Sequence, residues 1–318
     1  MPGWTTGRTV RVLLPAVAGC ALLAGGFAHR VELSALFGPV ARGDAGRGSW
    51  VQDRGPADRA GADVREALRE EAPPDARPFA ATGPDPAAAR RPSDPLEARP
   101  VPAEPAIGAL FSPGFDWDGD HHCSGSVLHS PGGDLVVTAA HCVHQGGFRT
   151  NLAFVPGYRD GVAPYGVWVP TRIEVDPRWV RSADPDHDVA FLRVRRAGAP
   201  GAGGSGARLE ALTGAMTPGF GPELPTMARL VGYPNDAEEP LGCANTAVAA
   251  GPAQLRLDCA DVPNGTSGGP VLTGDRGRTL IGVIGGRDGG GDESTSYSSY
   301  LGADARALYE RATAGPAG

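Results

Sequence analysis

From Ala106 onward the chain consists of short runs of β-forming residues, separated by clusters of glycine, proline, asparagine and aspartate. Many short strands at this spacing indicate an all-β sandwich or barrel. A plain connector over 197–206 divides them into two halves, 106–196 and 207–318, and 304–312 is expected to form a terminal helix. The expected strands are 107–111, 125–129, 134–138, 167–175, 188–194, 228–232, 246–250, 254–258, 269–272 and 280–284.

The N-terminal third has a different composition. Residues 1–28 combine basic residues with an apolar run, which is the pattern of a secretory signal. A cleaved signal, an uncleaved membrane anchor and a lipoprotein-type cleavage that lipidates Cys20 all remain open. Residues 29–105 contain much Arg, Asp, Ala and Pro and few large apolar side chains, so a disordered linker or propeptide is expected there. Within it, only 62–71 could form a short amphipathic helix.

The charge distribution argues against one class of partner. The formal net charge is −7, and the residues from Ala106 onward carry 16 arginines against 23 acidic residues. A nucleic-acid-binding protein needs a basic stripe to exchange counterions along the phosphates. The sequence has no such stripe, so nucleic acid is not an expected partner.

Four of the five cysteines form two neighbouring pairs, Cys123 with Cys142 and Cys243 with Cys259. An even set in an exported chain indicates two disulfides and an oxidising compartment. Zinc ligation is the alternative, although the sequence contains no C-x-x-C pair. We therefore expect no metal, and a protein that is secreted or held at the outer cell surface by its N-terminal segment.

A histidine follows an apolar run in Thr138-Ala139-Ala140-His141-Cys142. A histidine at the end of a buried strand is held in place, and a bond from Cys142 to Cys123 would tether the turn. Taken alone, the pattern fits a catalytic histidine and an ordinary turn histidine beside a disulfide equally well.

An aspartate precedes the next apolar strand in Asp186-His187-Asp188-Val189-Ala190. A partly buried carboxylate needs hydrogen-bond donors, and a neighbouring imidazole N–H is one. The alternative is an aspartate that only caps the strand. Of the two aspartates we select Asp188, because it directly abuts the strand and therefore has the fixed position.

The most specific pattern is Asn264-Gly265-Thr266-Ser267-Gly268-Gly269-Pro270. A serine hydroxyl is a poor nucleophile until a base takes its proton, so its surroundings must be arranged around it. Glycines on both sides permit the unusual backbone angles that present the hydroxyl. They also leave room for a substrate carbonyl beside the N–H groups of Gly265 and Ser267, which would form an oxyanion hole. The alternative is a flexible Gly/Ser loop.

In this order, Thr-Ala-Ala-His-Cys, Asp-Val-Ala-Phe-Leu and Gly-Thr-Ser-Gly-Gly-Pro resemble the motifs of the chymotrypsin/trypsin-like serine peptidases, in a bacterial secreted form. The resemblance covers 106–318. It implies two perpendicular six-stranded antiparallel β-barrels, with a triad in the cleft between them and no cofactor. It also implies that His141 is the general base and acid, that Asp188 orients it and that Ser267 is the nucleophile.

Two departures from the trypsin pattern limit what the resemblance implies. Thr266 stands where trypsin has an aspartate that pairs with a newly cut N-terminus, so activation by that switch is not expected. The trypsin-type disulfide close before the serine is also absent. Cys243 and Cys259 are expected to staple a hairpin of the second barrel instead.

Substrate specificity is weakly encoded. Asp261 lies six residues before the serine, where trypsin has its pocket carboxylate, which favours Lys or Arg at the cleaved bond. The alternative is that Arg287, near the expected pocket wall, neutralises this carboxylate and leaves a pocket for small or neutral side chains. The strand before Arg287 is expected to pair with the substrate backbone through Val283, Gly285 and Gly286.

The segment Asp116-Trp117-Asp118-Gly119-Asp120 is similar to the start of a calcium loop. It lacks the distal glutamate of such loops, because residue 127 is a valine. We therefore interpret it as a hairpin turn, and the following His121-His122 as turn surface.

The sequence as a whole predicts an exported, monomeric serine endopeptidase that acts on polypeptides. Two alternatives remain. One is a catalytically weak cell-surface protein that uses the same fold for binding, and the other is an esterase-like hydrolase with the same triad.

Overall fold

The computed structural model describes residues 40–44, 46–70, 91–114, 121–198, 208–274 and 276–314, and short strands dominate it. The strands are β1 (Val40–Ala41), β2 (Ser49–Val51), β3 (Arg69–Glu70), β4 (Arg99–Pro100), β5 (Ile107–Phe111), β6 (His121–Leu128), β7 (Leu135–Thr138), β8 (Phe148–Arg149), β9 (Ala153–Pro156), β10 (Val162–Ala163), β11 (Trp168–Val175), β12 (Ala190–Arg196), β13 (Thr217–Pro218), β14 (Thr226–Gly232), β15 (Leu241–Ala249), β16 (Gln254–Leu257), β17 (Pro270–Thr273), β18 (Thr279–Ile284) and β19 (Ser296–Tyr300). The α-helices are α1 (Arg54–Ala67), α2 (Ala140–Val143), α3 (Pro177–Ser182), α4 (Leu209–Thr213) and α5 (Ala303–Thr313).

The strands close into two antiparallel barrels of six strands each. In the first barrel the order is β12-β7-β6-β5-β9-β11, and β11 pairs with β12 to close the sheet. In the second barrel the order is β18-β17-β14-β15-β16-β19, and β18 pairs with β19. The expected all-β architecture, two six-stranded barrels with the C-terminal helix α5, is confirmed.

Each barrel encloses its own hydrophobic core. Strands β5, β7 and β9 are buried along their whole lengths. The largest buried side chains of the first barrel include Phe111, Phe154 and Phe191, and the second core is built around Leu255 and Ile281. Packed strands of this kind give the loops at their ends fixed starting points, which is where the functional residues lie.

Two barrel strands are missing from the sequence prediction. Strand β9 has four residues and ends in proline, so it lacks the length and the alternation that mark a strand. Strand β19 reads Ser-Tyr-Ser-Ser-Tyr, a composition typical of loops, yet Ser298 and Ser299 are fully buried. It is a strand because it pairs with both β16 and β18, a long-range effect that no local pattern contains.

Residues 46–70 fold against the first barrel, which differs from the disorder expected over 29–105. Strand β2 pairs with β11 on the outside of the barrel, and β3 pairs with β10. Helix α1, between them in sequence, packs on β9 and β11. It begins well before 62–71, the segment that was expected to be helical.

Small side chains explain why α1 packs so closely. Its buried residues are Ala57, Ala60, Gly61 and Val64. A Cβ atom at Gly61 would lie 2.5 Å from the Cβ atom of Ala197, so only glycine permits this approach. Small residues contribute little to the hydropathy of a segment that is otherwise rich in Arg and Asp. The buried face of α1 therefore does not stand out in the sequence as an apolar stripe.

Residues 91–105 lie along the second barrel. Strand β4 pairs with β15, and Ala98 donates a backbone hydrogen bond to Ala260 at 2.8 Å. The buried carboxylate of Glu104 accepts two hydrogen bonds from Arg229, at 2.6 and 3.0 Å. A bidentate pair of this kind leaves neither buried charge uncompensated. This stretch is therefore part of the fold and not a disordered linker.

Several predictions from the sequence fall outside the described residues. They concern the signal-like segment 1–28 with Cys20, the calcium-like turn 116–120 and most of the connector 197–206. Among the described residues, no helix combines the length and apolar character that are needed to cross a bilayer.

The packing of α1 can be tested with Val64→Ala. Val64 is fully buried, so the loss of two methyl groups should lower the free energy of unfolding by about 1–3 kcal/mol. The melting temperature of the full chain measures this, with Glu66→Ala on the exposed face of the same helix as the control. Equal melting temperatures for the two variants would contradict the packing.

Candidate active site

The three residues expected to act together lie at the ends of barrel strands. His141 is in the short helix α2 directly after β7, and Asp188 lies shortly before β12. The last residue of β7, Thr138, pairs with the first residue of β12, Ala190. These two loops therefore meet at one edge of the first barrel. Ser267 lies just before β17 in the second barrel.

The carboxylate of Asp188 holds His141 through two hydrogen bonds. One oxygen accepts from the imidazole Nδ1 at 2.7 Å, and the other accepts from the backbone N–H of His141 at 2.8 Å. Asp188 is only 1% exposed. Because Nδ1 donates to a carboxylate, the neutral imidazole carries its lone pair on Nε2. That nitrogen is free to accept a proton.

The interaction between His141 and Asp188 shifts both pKa values in the directions that favour an imidazolium beside a carboxylate. Burial alone would lower the pKa of His141, but the charge of Asp188 and its hydrogen bond outweigh burial and raise this pKa above 6.5. Burial alone would raise the pKa of Asp188. The charge of His141 and the N–H donors around the carboxylate outweigh that effect and lower the pKa. An imidazolium is therefore stabilised here, and Asp188 stays ionised.

The second barrel supplies a third donor to the same carboxylate. The backbone N–H of Gly286 donates to Asp188 at 2.8 Å. The preceding residue has no side chain, and a Cβ atom at Gly285 would lie 2.8 Å from the Asp188 carboxylate and 3.3 Å from Cε1 of His141. The segment that follows β18 thus packs directly against the His141–Asp188 pair. Asp186, the competing aspartate, lies in the turn Pro185–His187, and within the described part of the chain it makes no hydrogen bond to His141.

The loop of Ser267 has the backbone that its glycines were expected to allow. Gly265 and Gly268 have φ angles of +95° and +80°, which side chains with a Cβ atom rarely adopt. A Cβ atom at Gly268 would also lie 2.1 Å from Oγ1 of Thr138, the last residue of β7. The loop of the second barrel therefore lies against the strand that leads to His141.

Two N–H groups of this loop are unpaired. The N–H groups of Thr266, Gly268 and Gly269 each donate to a backbone carbonyl. In the part of the chain that the structure describes, those of Gly265 and Ser267 have no acceptor. Backbone N–H groups in packed loops are usually paired, so two unpaired donors in one loop indicate a place for an external oxygen.

Comparison with known proteins agrees with this geometry. A family model described as the trypsin-like peptidase domain matches residues 123–283, about half of the chain. The chain belongs to the trypsin-like peptidase family. It is a serine-type endopeptidase by this membership and by its structural neighbours.

Two solved trypsin-like structures are similar at the level of sequence as well as fold. The protease Anisep from Arthrobacter nicotinovorans has a TM-score of 0.58 and 25% identity, over 69% of this chain and 100% of that one. The thermostable serine protease AL20 from an extremophilic microorganism has a TM-score of 0.57 and 26% identity, over 68% and 100%.

A third structure shares only the fold. A Glu endopeptidase has a TM-score of 0.53 and 16% identity, over 69% of this chain and 97% of that one. No curated protein is a significant sequence match to the chain.

Both expected disulfides are present in this trypsin-like domain. Cys123 is bonded to Cys142, which connects β6 to the helix that carries His141, and Cys243 is bonded to Cys259 across the hairpin β15–β16. Their sulfur atoms are therefore not available as zinc ligands, and the alternative of a zinc site at these four cysteines is wrong.

The residues proposed for specificity occupy different surroundings. Asp261 is exposed, with a φ angle of +54°. Among the described residues no ion pair joins it to Arg287, whose guanidinium lies 5.6 Å from the centre of the Tyr297 ring. The expected mutual neutralisation of Asp261 and Arg287 is therefore not observed.

Val283 does not fit its expected role. It lies inside the sheet, paired on one side with Pro270 and on the other with Ser299, so its backbone does not form a free edge. Its neighbours beyond the end of β18, Gly285 and Gly286, remain next to the His141–Asp188 pair.

Ser124 is the residue at this site that sequence reasoning missed. It lies in the middle of β6, is fully buried, and its backbone N–H donates to the carbonyl of Ser267 at 2.7 Å. The sequence contained one signal, a hydroxyl between Cys123 and the expected strand 125–129. That signal alone did not separate a structural serine from a functional one.

The influence of Asp188 on His141 can be measured in Asp188→Asn. The amide removes the negative charge, so burial then dominates and the pKa of His141 should fall from above 6.5 to below it. Titration of the imidazole Cε1 proton by NMR measures this, with the exposed His129 as the internal reference. A pKa of His141 that is unchanged in the variant would contradict the electrostatic coupling.

Proposed function

We propose that the chain is an exported serine endopeptidase that cleaves polypeptides with a triad of Ser267, His141 and Asp188. The observation that carries this proposal is the buried carboxylate of Asp188, which accepts hydrogen bonds from two nitrogens of His141 at 2.7 and 2.8 Å. A buried carboxylate that binds Nδ1 fixes the orientation of the imidazole and leaves Nε2 to act as the base. Beside it stands a serine loop with donors for a developing oxyanion.

The residues divide the chemistry as follows. Nε2 of His141 takes the proton of Ser267 while Oγ attacks the carbonyl carbon of the substrate. The carbonyl oxygen becomes negatively charged and accepts hydrogen bonds from the N–H groups of Gly265 and Ser267. His141 then gives the proton to the leaving amine, and an acyl-enzyme remains. A water molecule, activated by His141, hydrolyses the acyl-enzyme and restores Ser267.

The electrostatics support these roles. The imidazolium that forms when His141 takes the proton lies beside an ionised carboxylate, since the pKa of Asp188 is lowered. The proton stays on His141, whose pKa is raised. Asp188 therefore orients and stabilises the imidazolium without taking the proton itself.

Export is supported by two independent features. The disulfides Cys123–Cys142 and Cys243–Cys259 are typical of proteins in an oxidising compartment. The N-terminal residues 1–28 have the composition of a signal segment. A secreted or surface-attached peptidase meets polypeptide substrates outside the cell.

Labelling with a fluorophosphonate tests the assembled triad. The oxidised full chain should react rapidly and carry the phosphonyl group on Ser267, as located by peptide mass spectrometry. Ser267→Ala should not react, and His141→Ala should react at least about a thousandfold more slowly because the serine has no base. His129→Ala, which removes an exposed histidine that is hydrogen-bonded to Glu210, is the matched control and should react like the wild type.

Tests with different substrates distinguish the endopeptidase from the esterase-like enzyme and the binding protein. Hydrolysis of both peptide amides and esters fits the endopeptidase, whereas hydrolysis of esters alone fits an esterase-like enzyme. A folded, oxidised protein that neither reacts with the probe nor cleaves a peptide would overturn the enzymatic proposal and favour a binding protein with this fold.

A further inference from the structure

The side chain of Ser124 joins three segments of the molecule. Its hydroxyl oxygen accepts a hydrogen bond from the backbone N–H of Tyr233 at 2.7 Å and donates one to the carbonyl of Gly265 at 2.9 Å. Ser124 belongs to the first barrel, whereas Tyr233 and Gly265 belong to the second. The residue is fully buried, so water does not replace either bond.

The direction of the hydroxyl proton follows from its partners. The backbone N–H of Tyr233 can only donate, so the hydroxyl receives that bond and must direct its own proton to the Gly265 carbonyl. The backbone of Ser124 adds a further contact, since its N–H donates to the carbonyl of Ser267 at 2.7 Å. One buried residue therefore contacts the carbonyl groups on both sides of Thr266.

A second group fixes the preceding peptide unit. The backbone N–H of Asn235 donates to the carbonyl of Asn264 at 2.9 Å. In a trans peptide the carbonyl and the N–H point in opposite directions. The bond to Asn264 therefore directs the N–H of Gly265 away from Asn235, and that N–H is one of the two unpaired donors of the loop.

This loop needs such restraints. Glycine residues have many accessible backbone conformations, so the sequence of the loop does not by itself select the orientation of the Asn264–Gly265 peptide. Thr266 makes only local hydrogen bonds, from its N–H and its hydroxyl to the carbonyl of Pro263 at 3.3 and 2.7 Å. In the described part of the chain, the restraints on the loop thus come from uncharged backbone and hydroxyl groups.

We propose that the Ser124 hydroxyl, through the Gly265–Thr266 peptide, and the Asn235 N–H, through the Asn264–Gly265 peptide, together hold Gly265 with its N–H directed at the oxyanion. Ser124 is then a positioning residue for transition-state stabilisation, and the site is preorganised without insertion of a newly cut N-terminus. This inference rests on the proposed function, because it assigns a purpose to the unpaired N–H of Gly265.

The test compares Ser124→Ala with Ser126→Ala. Ser126 lies two residues further along β6 and is also fully buried, but its hydroxyl has no hydrogen-bond partner among the residues that the structure describes. The two variants lose the same atom from the same strand, and only one of them releases the loop. Ser124→Ala should lower kcat by about 10- to 100-fold with KM changed less than about threefold. Ser126→Ala should keep both constants within about threefold of the wild type.

A second pair of variants tests the other restraint, the N–H of Asn235, at an exposed residue. Asn235 is exposed and follows Pro234, whose carbonyl accepts from the N–H of Ala237 at 3.2 Å to close a turn. Proline is favoured at the second position of such turns, so Asn235→Pro is compatible with the turn, while its ring carbon replaces the N–H and displaces the Asn264 carbonyl that the N–H held. Asn235→Ala keeps the N–H and is the control. Asn235→Pro should lower kcat by about 10- to 100-fold, and Asn235→Ala should not.

Affinity for an inhibitor identifies the transition state as the affected species. A peptide aldehyde forms a tetrahedral adduct with the serine, so its inhibition constant should rise in proportion to the loss of kcat in Ser124→Ala and Asn235→Pro. Melting temperatures establish that each variant is folded. If Ser124→Ala does not fold, the Asn235 pair decides the question.

The outcomes distinguish a failure of the positioning role from a failure of the proposed peptidase function. Full kcat in folded Ser124→Ala or in Asn235→Pro would overturn the positioning role and leave the peptidase itself intact. A change in KM alone would do the same. An inactive wild-type protein would overturn the proposed function, and the positioning role with it.

Discussion

The buried carboxylate of Asp188 is the charge around which the rest of the site is arranged. Removing an ion from water costs several kcal/mol even after the protein relaxes, unless hydrogen bonds compensate it. Here three N–H groups do so, two from His141 and one from Gly286. The first two belong to one barrel and the third to the other. The need to satisfy one charge therefore fixes the imidazole and also draws the segment after β18 against it.

The loop of Ser267 is likewise held by contacts from both barrels. The loop of Ser267 belongs to the second barrel, yet its carbonyl is bonded to Ser124 in the first. The absence of a side chain at Gly268 allows the loop to lie against Thr138. The disulfide next to His141 holds the same strand β6 to helix α2. The proposed base and nucleophile thus acquire their relative positions only when both barrels are folded and docked, which links the stability of the fold to the geometry of the candidate site.

The sequence predicted what local patterns can encode. The motifs around His141, Asp188 and Ser267 specify side chains at the ends of apolar strands, and most barrel strands were recognisable from the same signals. Strand β19 was not, because its serines are buried only by pairing with distant strands. Helix α1 was placed wrongly because its buried face consists of small residues. The proposed role of Ser124 depends on partners more than 100 positions away in the sequence, so no local pattern could reveal it.

The most direct test of the account is a crystal structure of the full chain after reaction with a peptidyl phosphonate. The account predicts a covalent bond to Oγ of Ser267, with the phosphonyl oxygen about 3 Å from the N–H groups of both Gly265 and Ser267. The imidazole of His141 should remain hydrogen-bonded to Asp188. An adduct on another residue, or a phosphonyl oxygen that points to solvent with Gly265 turned away, would contradict the account.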